Sequence, residues 1–104
     1  MKIEKTNRGF QIAHFSDRYG KSCSIQKSSL AFEDCIWLGI DDPDPKIMNS
    51  DAIRMQLPHD GETGWCKFEI PEEVSIDTRM HLTREQVKKL MPILKTFVET
   101  GELK

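Results

Sequence analysis

A chain of 104 residues, 38% hydrophobic and 31% charged, has the size and apolar content of one domain with one core, and too little bias for a disordered or low-complexity tail. Its 15 basic and 17 acidic residues leave a net charge of −2, which is neither the basic excess of a nucleic-acid binder nor the dense carboxylate coat of a nucleic-acid mimic. No apolar run reaches the roughly 18–20 residues of a membrane span, and "MKIEKTNRGF" lacks the apolar stretch of a signal peptide, so a cytoplasm with Cys23, Cys35 and Cys66 as reduced thiols is the expected setting.

In chain order, "KIEKT" and "GFQIAHFS" read as two strands joined at Asn7-Arg8-Gly9, a hairpin turn in which Gly supplies the positive φ. In the second strand Phe10, Ile12 and His14 take one face and Gln11, Ala13 and Phe15 the other. "SDRYGK" is a turn built on Asp17 and Gly20, and "SCSIQKS" is a third strand with Cys23 and Ile25 inward. "DCIWLGI" is apolar on both faces, the pattern of a central strand, with Trp37 in the core. "AIRMQL" alternates as a strand, with Ile53, Met55 and Leu57 against Arg54 and Gln56. "PHDGETG" is a loop, and "WCKFEI" alternates again around an inward Cys66. "VSIDTRMHL" is the last extended stretch.

The apolar period then changes to three and four. Val87, Leu90, Met91, Leu94, Phe97 and Val98 mark one helix face. Thr83 with Gln86 forms a capping box, Gly101 is the stop, and Pro92 predicts a kink rather than a break, because the stripe runs through it in phase. The expected fold is α+β: a mostly antiparallel sheet of five to seven strands in a single domain, 1–104, with one C-terminal helix packed on one face as the second layer of the core.

The stretch "IWLGIDDPDP" turns from apolar to acidic in its middle. Asp41, Asp42 and Asp44 do not make a calcium loop. The next alternate position after Asp44 is Lys46, a cation, and neither the Gly nor the terminal Glu of such a loop follows. Pro43 and Pro45 fix φ and lack donors, so the expected structure is a stiff, extended, solvated loop. His14, Cys23, Cys35, His59, Cys66 and His81 include no paired spacing for zinc, and His59 with Cys66 is the best pair among them. No nucleophile elbow and no phosphate-cradling glycine loop is present. The reading is a chain without a metal or other cofactor and without catalytic residues; a zinc- or thiol-dependent small enzyme is the alternative from another class.

Trp65 alternates with Cys66 and so lies on the opposite face from it, beside Lys67 and Glu69. It is either an anchor for a partner or is covered by another part of the chain. The candidate partner-binding residues are Asp41, Asp42, Asp44, Glu62 and Trp65.

The blocks "DRYGKSCSIQKSSLAFEDCIWLGIDD" and "TRMHLTREQVKKLMPILKTFVETGEL" resemble a family of small phage- and prophage-encoded proteins, and together they cover about half of the chain. That family offers no activity and no catalytic residues to carry over. The resemblance implies expression in the cytoplasm of a bacterial host and an accessory role in infection. By analogy with other small phage proteins, it points to inhibition or modulation of a host protein or nucleoprotein complex, with defence systems such as CRISPR among the targets. The expected mechanism is steric occlusion, the acidic residues facing a basic surface of the partner, with no direct nucleic-acid contact and no membrane. A structural or regulatory accessory protein acting as a homodimer is the other reading.

Overall fold

The computed structural model describes residues 1–104. The chain divides into two compact units, one made of 1–41 with 78–104 and the other of 42–77.

The larger unit is a five-stranded antiparallel sheet. Its strands are β1 (Glu4–Lys5), β2 (Gln11–Ser16), β3 (Ser22–Lys27), β4 (Cys35–Ile40) and β7 (Arg79–Thr83), in the spatial order β1-β2-β3-β4-β7. The turn chemistry follows the sequence. Gly9 sits at φ 86° and its N–H donates to the Thr6 carbonyl. The Asp17 carboxylate accepts from the N–H groups of Tyr19 and Lys21, which shapes the turn around Gly20 at φ 81°.

Register separates the two faces by chemistry. Ala13 pairs with Ile25, Ile25 with Leu38 and Leu38 with Met80; Phe15 pairs with Cys23 and Cys23 with Ile40; Ile36 pairs with Leu82. These residues form an apolar face. The other face carries Ile12 opposite Gln26, and with them His14, Ser24, Trp37, Gly39, Arg79 and His81, so that polar side chains predominate. Trp37 on it is half-buried rather than enclosed in a core.

α2 (Arg84–Thr100) follows β7 with no intervening residue. Thr83, the last residue of the strand, is also the N-cap. Its side chain accepts from the Gln86 N–H at 3.1 Å, and the Gln86 side chain accepts from the Thr83 N–H at 2.9 Å. The helix runs through Pro92 without a break and stops at Gly101, φ 77°. Thr83→Ala removes one half of the box and is expected to cost about 0.5–2 kcal/mol, read as lost helicity in a thermal melt followed by far-ultraviolet circular dichroism.

The expectation that α2 lies on the sheet as its second layer needs correction. The helix carries no buried residue, and Leu90, Met91, Leu94, Phe97 and Val98 are all exposed. The physical reason is the joint itself. A helix capped by the last residue of a strand has no loop in which to reverse, so it continues away from the sheet instead of folding back over it.

Where α2 starts, a surface cluster joins three segments. Lys27 Nζ donates to Asp34 at 2.7 Å, and Arg84 lies 4.0 Å from the same carboxylate. The hydrogen bond from Lys27, with the charges of Lys27 and Arg84, holds the Asp34 carboxyl below its ordinary value of 3.8. A carboxyl depressed by folding adds stability at neutral pH that is lost as pH falls through the folded value. Asp34→Asn is therefore expected to be less stable than the parent at pH 7 and to converge with it below about pH 3.8. Urea melts across that window measure the difference.

The smaller unit contains a two-stranded antiparallel ribbon, β5 (Lys46–Met48) with β6 (Trp65–Lys67), and one short helix, α1 (Asn49–Arg54). The stretch "AIRMQL", expected as a strand, is instead the end of α1 and its exit. Ala52 is its buried residue, while Ile53 and Met55 are exposed, so the alternation did not mark a buried face. Gln56 at φ 60° reverses the chain after the helix. "VSIDTRMHL" forms a strand only from Arg79 onward, and Val74 and Ile76 lie exposed before it.

Candidate functional site

Asn49 organises the tip of the smaller unit. It is the largest fully buried side chain in the protein. Its amide nitrogen donates to the Thr63 carbonyl at 2.8 Å and to the Asp60 carboxylate at 3.1 Å, and its amide oxygen accepts from the Asp60 N–H at 3.1 Å. Its own backbone N–H donates to the Gly64 carbonyl at 2.8 Å. All these partners lie on the loop between α1 and β6. One buried side chain therefore fixes the turn that carries Glu62 and delivers the chain to Trp65. Every polar group of Asn49 is matched, as burial requires.

Trp65 is 66% exposed, opposite Met48 in the ribbon, while its neighbour Cys66 points inward. The alternation read from "WCKFEI" is correct for these residues, and Trp65 projects into solvent. Glu62 is exposed on the pinned turn. Glu62 and Trp65 therefore share the Met48 end of the ribbon. Asp44 lies at its other end, beside Lys46, with which it pairs at 3.5 Å. The two ends are roughly 7 Å apart along the strand, two residues at about 3.3 Å each. Asp42 is exposed ahead of Pro43. Asp44 takes the left-handed conformation at φ 43°, so the segment bends there and is not uniformly extended.

Asp41 differs from the other two loop aspartates. It belongs with the sheet unit, is half-buried, and its carboxylate accepts from the Ser24 hydroxyl at 2.6 Å. The expectation that all three are free, solvated loop charges fails at this residue. A strand-end aspartate with a serine hydroxyl diagonally across the ladder, here Ser24 opposite Gly39, is drawn onto the sheet.

That contact belongs to a network on the polar face of the sheet that the sequence reading did not assemble. Arg79 Nη1 donates to Gln26 Oε1 at 2.8 Å and to Ser24 Oγ at 3.2 Å. Its guanidinium lies 5.7 Å from the centre of the Trp37 ring. His81 stacks on Trp37 with ring centres 3.9 Å apart and planes 10° apart, and its Nε2 is 2.9 Å from the Ser28 hydroxyl. One signal was available: Arg79 and His81 alternate with Met80 and Leu82, which gives the last strand a polar side.

No cluster of three or more His, Cys, Asp or Glu side chains converges in a way that could hold a metal ion. His59 Nδ1 lies 3.2 Å from the Leu57 carbonyl, and Cys66 is buried within its own unit. The thiols of Cys23, Cys35 and Cys66 are all free and buried. Burial, together with the hydrogen bond donated to Glu33, pushes the Cys35 thiol up from its ordinary value. That is the opposite of what a nucleophilic cysteine needs. No helix is long and apolar enough to cross a membrane.

Compared with protein families, curated proteins and solved structures, the chain matches none of them.

Proposed function

We propose that this protein acts by binding: a non-enzymatic module that occupies the surface of a host protein complex and modulates it by steric occlusion. The observation that carries the reading is the solvent-exposed Trp65 beside a turn locked by Asn49. A Trp buries a large surface on contact and has few rotatable bonds, and a preordered loop loses little entropy when it docks. Glu62, Asp42 and Asp44 place negative charge in the same small unit, which suits a partner with a basic surface and speeds encounter with it. The resemblance of the two blocks, 17–42 and 78–103, to phage-encoded proteins makes a bacterial host complex, including a defence complex, the natural target class.

The test compares the tagged parent with Trp65→Ala in pull-downs from a bacterial host lysate, followed by binding kinetics on any protein that the parent enriches. Loss of an interface hot spot costs at least about 2 kcal/mol, roughly thirtyfold in affinity. The expected result is a partner captured by the parent and lost by the variant, with slower association at high salt for the parent. Equal capture by both proteins would remove Trp65 as the anchor and this reading with it.

A further inference from the structure

Two apolar surfaces in the larger unit lack a covering layer, and each has the form of the other's missing half. The first is the stripe of α2: Leu90, Met91, Leu94, Phe97 and Val98 are all exposed on a helix with no buried residue. The second is the apolar face of the sheet. Ala13 and Cys23 on it are buried, but Ile25, Ile36, Leu38, Ile40 and Leu82 are only half-buried and Met80 is 55% exposed. A soluble fold normally closes such a pair by laying its own helix on its own sheet. Here the capping box on Thr83 fixes the direction of α2 from the last residue of β7, so closure within one copy would require breaking the cap and unwinding the first turn.

Between the first turns of α2 and the end of the sheet lies an open cleft of about 510 Å³, with Ile36, Leu82 and Val87 as its apolar walls. Its rim carries Lys27, Arg84 and Lys88 against the single carboxylate of Asp34. At the far end of α2, around Phe97 and Val98, Lys95 and Lys104 balance Glu99 and Glu102, so that end has no net charge to set against the rim. At the same end of the sheet, the connection from β3 to β4 presents Phe32 fully to solvent, at 102% exposure.

We propose that the chain forms a symmetric homodimer in which the two α2 helices lie antiparallel and each covers the apolar sheet face of the other copy. The C-terminal half of α2, with Leu94, Phe97 and Val98, seats in the partner's cleft. The second copy is the fitting occupant for two reasons. One two-fold operation covers both open surfaces at once, so that the same patch serves on both sides. The area is also of the right order. Burying a Leu-sized side chain removes roughly 60–120 Å², so Met80 and the five helix residues, about half exposed, together with the five less exposed sheet residues, supply on the order of 250–500 Å² of apolar surface per copy. A standard interface of about 800 Å² per partner, about 65% apolar in homodimers, needs roughly 500 Å². This surface lies on the sheet unit and is independent of Trp65, so the dimer and the proposed function stand or fall separately.

Sedimentation equilibrium of the full chain, with Leu94→Asp and Phe97→Asp variants, tests the proposal. The parent is expected to be a dimer at micromolar concentration. Each variant is expected to raise the dissociation constant at least roughly a hundredfold, because a carboxylate would have to be desolvated in the apolar cleft. Circular dichroism of the variants should keep the parent's helix content, since both side chains are exposed in a single copy. A second measurement uses a photo-crosslinker at position 94 in a mixture of isotopically heavy and light chains. Crosslinks from the helix of one isotope to strand peptides β3, β4 or β7 of the other are expected. A parent that is monomeric at tens of micromolar, crosslinks confined to one copy, or crosslinks only between helices would each overturn the proposal.

Discussion

Gly39→Ala is expected to destabilise the protein by roughly 2–6 kcal/mol, combining overpacking at about 1–3 kcal/mol with backbone strain of similar size. A Cβ added at this position would meet the Thr78 carbonyl oxygen at 2.8 Å and the Arg79 Cα at 3.0 Å. Both are backbone atoms of the neighbouring chain segment, so neither can rotate aside. Gly39 also sits at φ 151°, a conformation that residues with a side chain rarely adopt. The substitution falls where β4 pairs with β7, at the Gly39–Arg79 position, and so it strikes the only pairing that fastens the C-terminal segment to the sheet. The midpoint of urea unfolding should drop without a change in slope. A midpoint within error of the parent's would mean that β7 does not approach β4 this closely.

Asn49→Ala is the second large effect. It would leave the Asp60 N–H and the Thr63 carbonyl without the partners they have now. Asp60 and Thr63 are themselves exposed and can regain water, so the cost is that of three lost hydrogen bonds at about 0.5–1.5 kcal/mol each, roughly 1.5–4.5 kcal/mol in all. Asn49→Asp should fare no better, because it keeps the acceptor, loses the donor and sets a second carboxylate against Asp60. Hydrogen exchange over residues 60–64 is the direct readout, and protection there should fall in both variants. Retained protection would show that the turn holds its shape without Asn49. It would also remove the preordering on which the argument for Trp65 rests.

What the sequence made legible divides along physical lines. Features fixed by a few neighbouring residues were readable: the turns at Gly9 and Gly20, the capping box at Thr83, the stop at Gly101 and the alternation around Cys66. The α+β class followed from the switch of apolar period at Val87. What could not be read was anything decided by a distant partner. The helical stripe was clear, but periodicity states only that a face is apolar, not which surface meets it. The absence of a loop between β7 and α2 decided that question, and no residue type marks it. In "AIRMQL" a window of six residues fits either period by chance, and the residue that is buried, Ala52, was the least conspicuous of them. Asp41 was assigned with its neighbours Asp42 and Asp44, because charge density is visible in a sequence whereas the reach of a hydroxyl on Ser24, seventeen residues away, is not. The Arg79–Trp37–His81 arrangement was missed for the same reason, since it joins strands that are adjacent in the sheet and far apart along the chain.

β4 and β7 are antiparallel neighbours, yet the whole smaller unit lies between them in the chain. Both of its connections leave the sheet at one place, where the Thr78 hydroxyl donates to the Asp41 carbonyl at 3.5 Å. In folding terms this pair of strands is a hairpin with an unusually long excursion in place of its turn. Lengthening a closed loop is cheap, about 0.6 kcal/mol for each doubling, so the pairing tolerates the excursion thermodynamically. The rate is a different matter, because β7 must find β4 across that gap. If segment 42–77 condenses first, it brings its two ends together and presents β7 to β4 as an ordinary hairpin would. The same geometry makes the segment separable: a short turn from Asp41 to Thr78 should close the five-stranded sheet as a plain meander, which opens the sheet and its helix to study without the Trp65 unit.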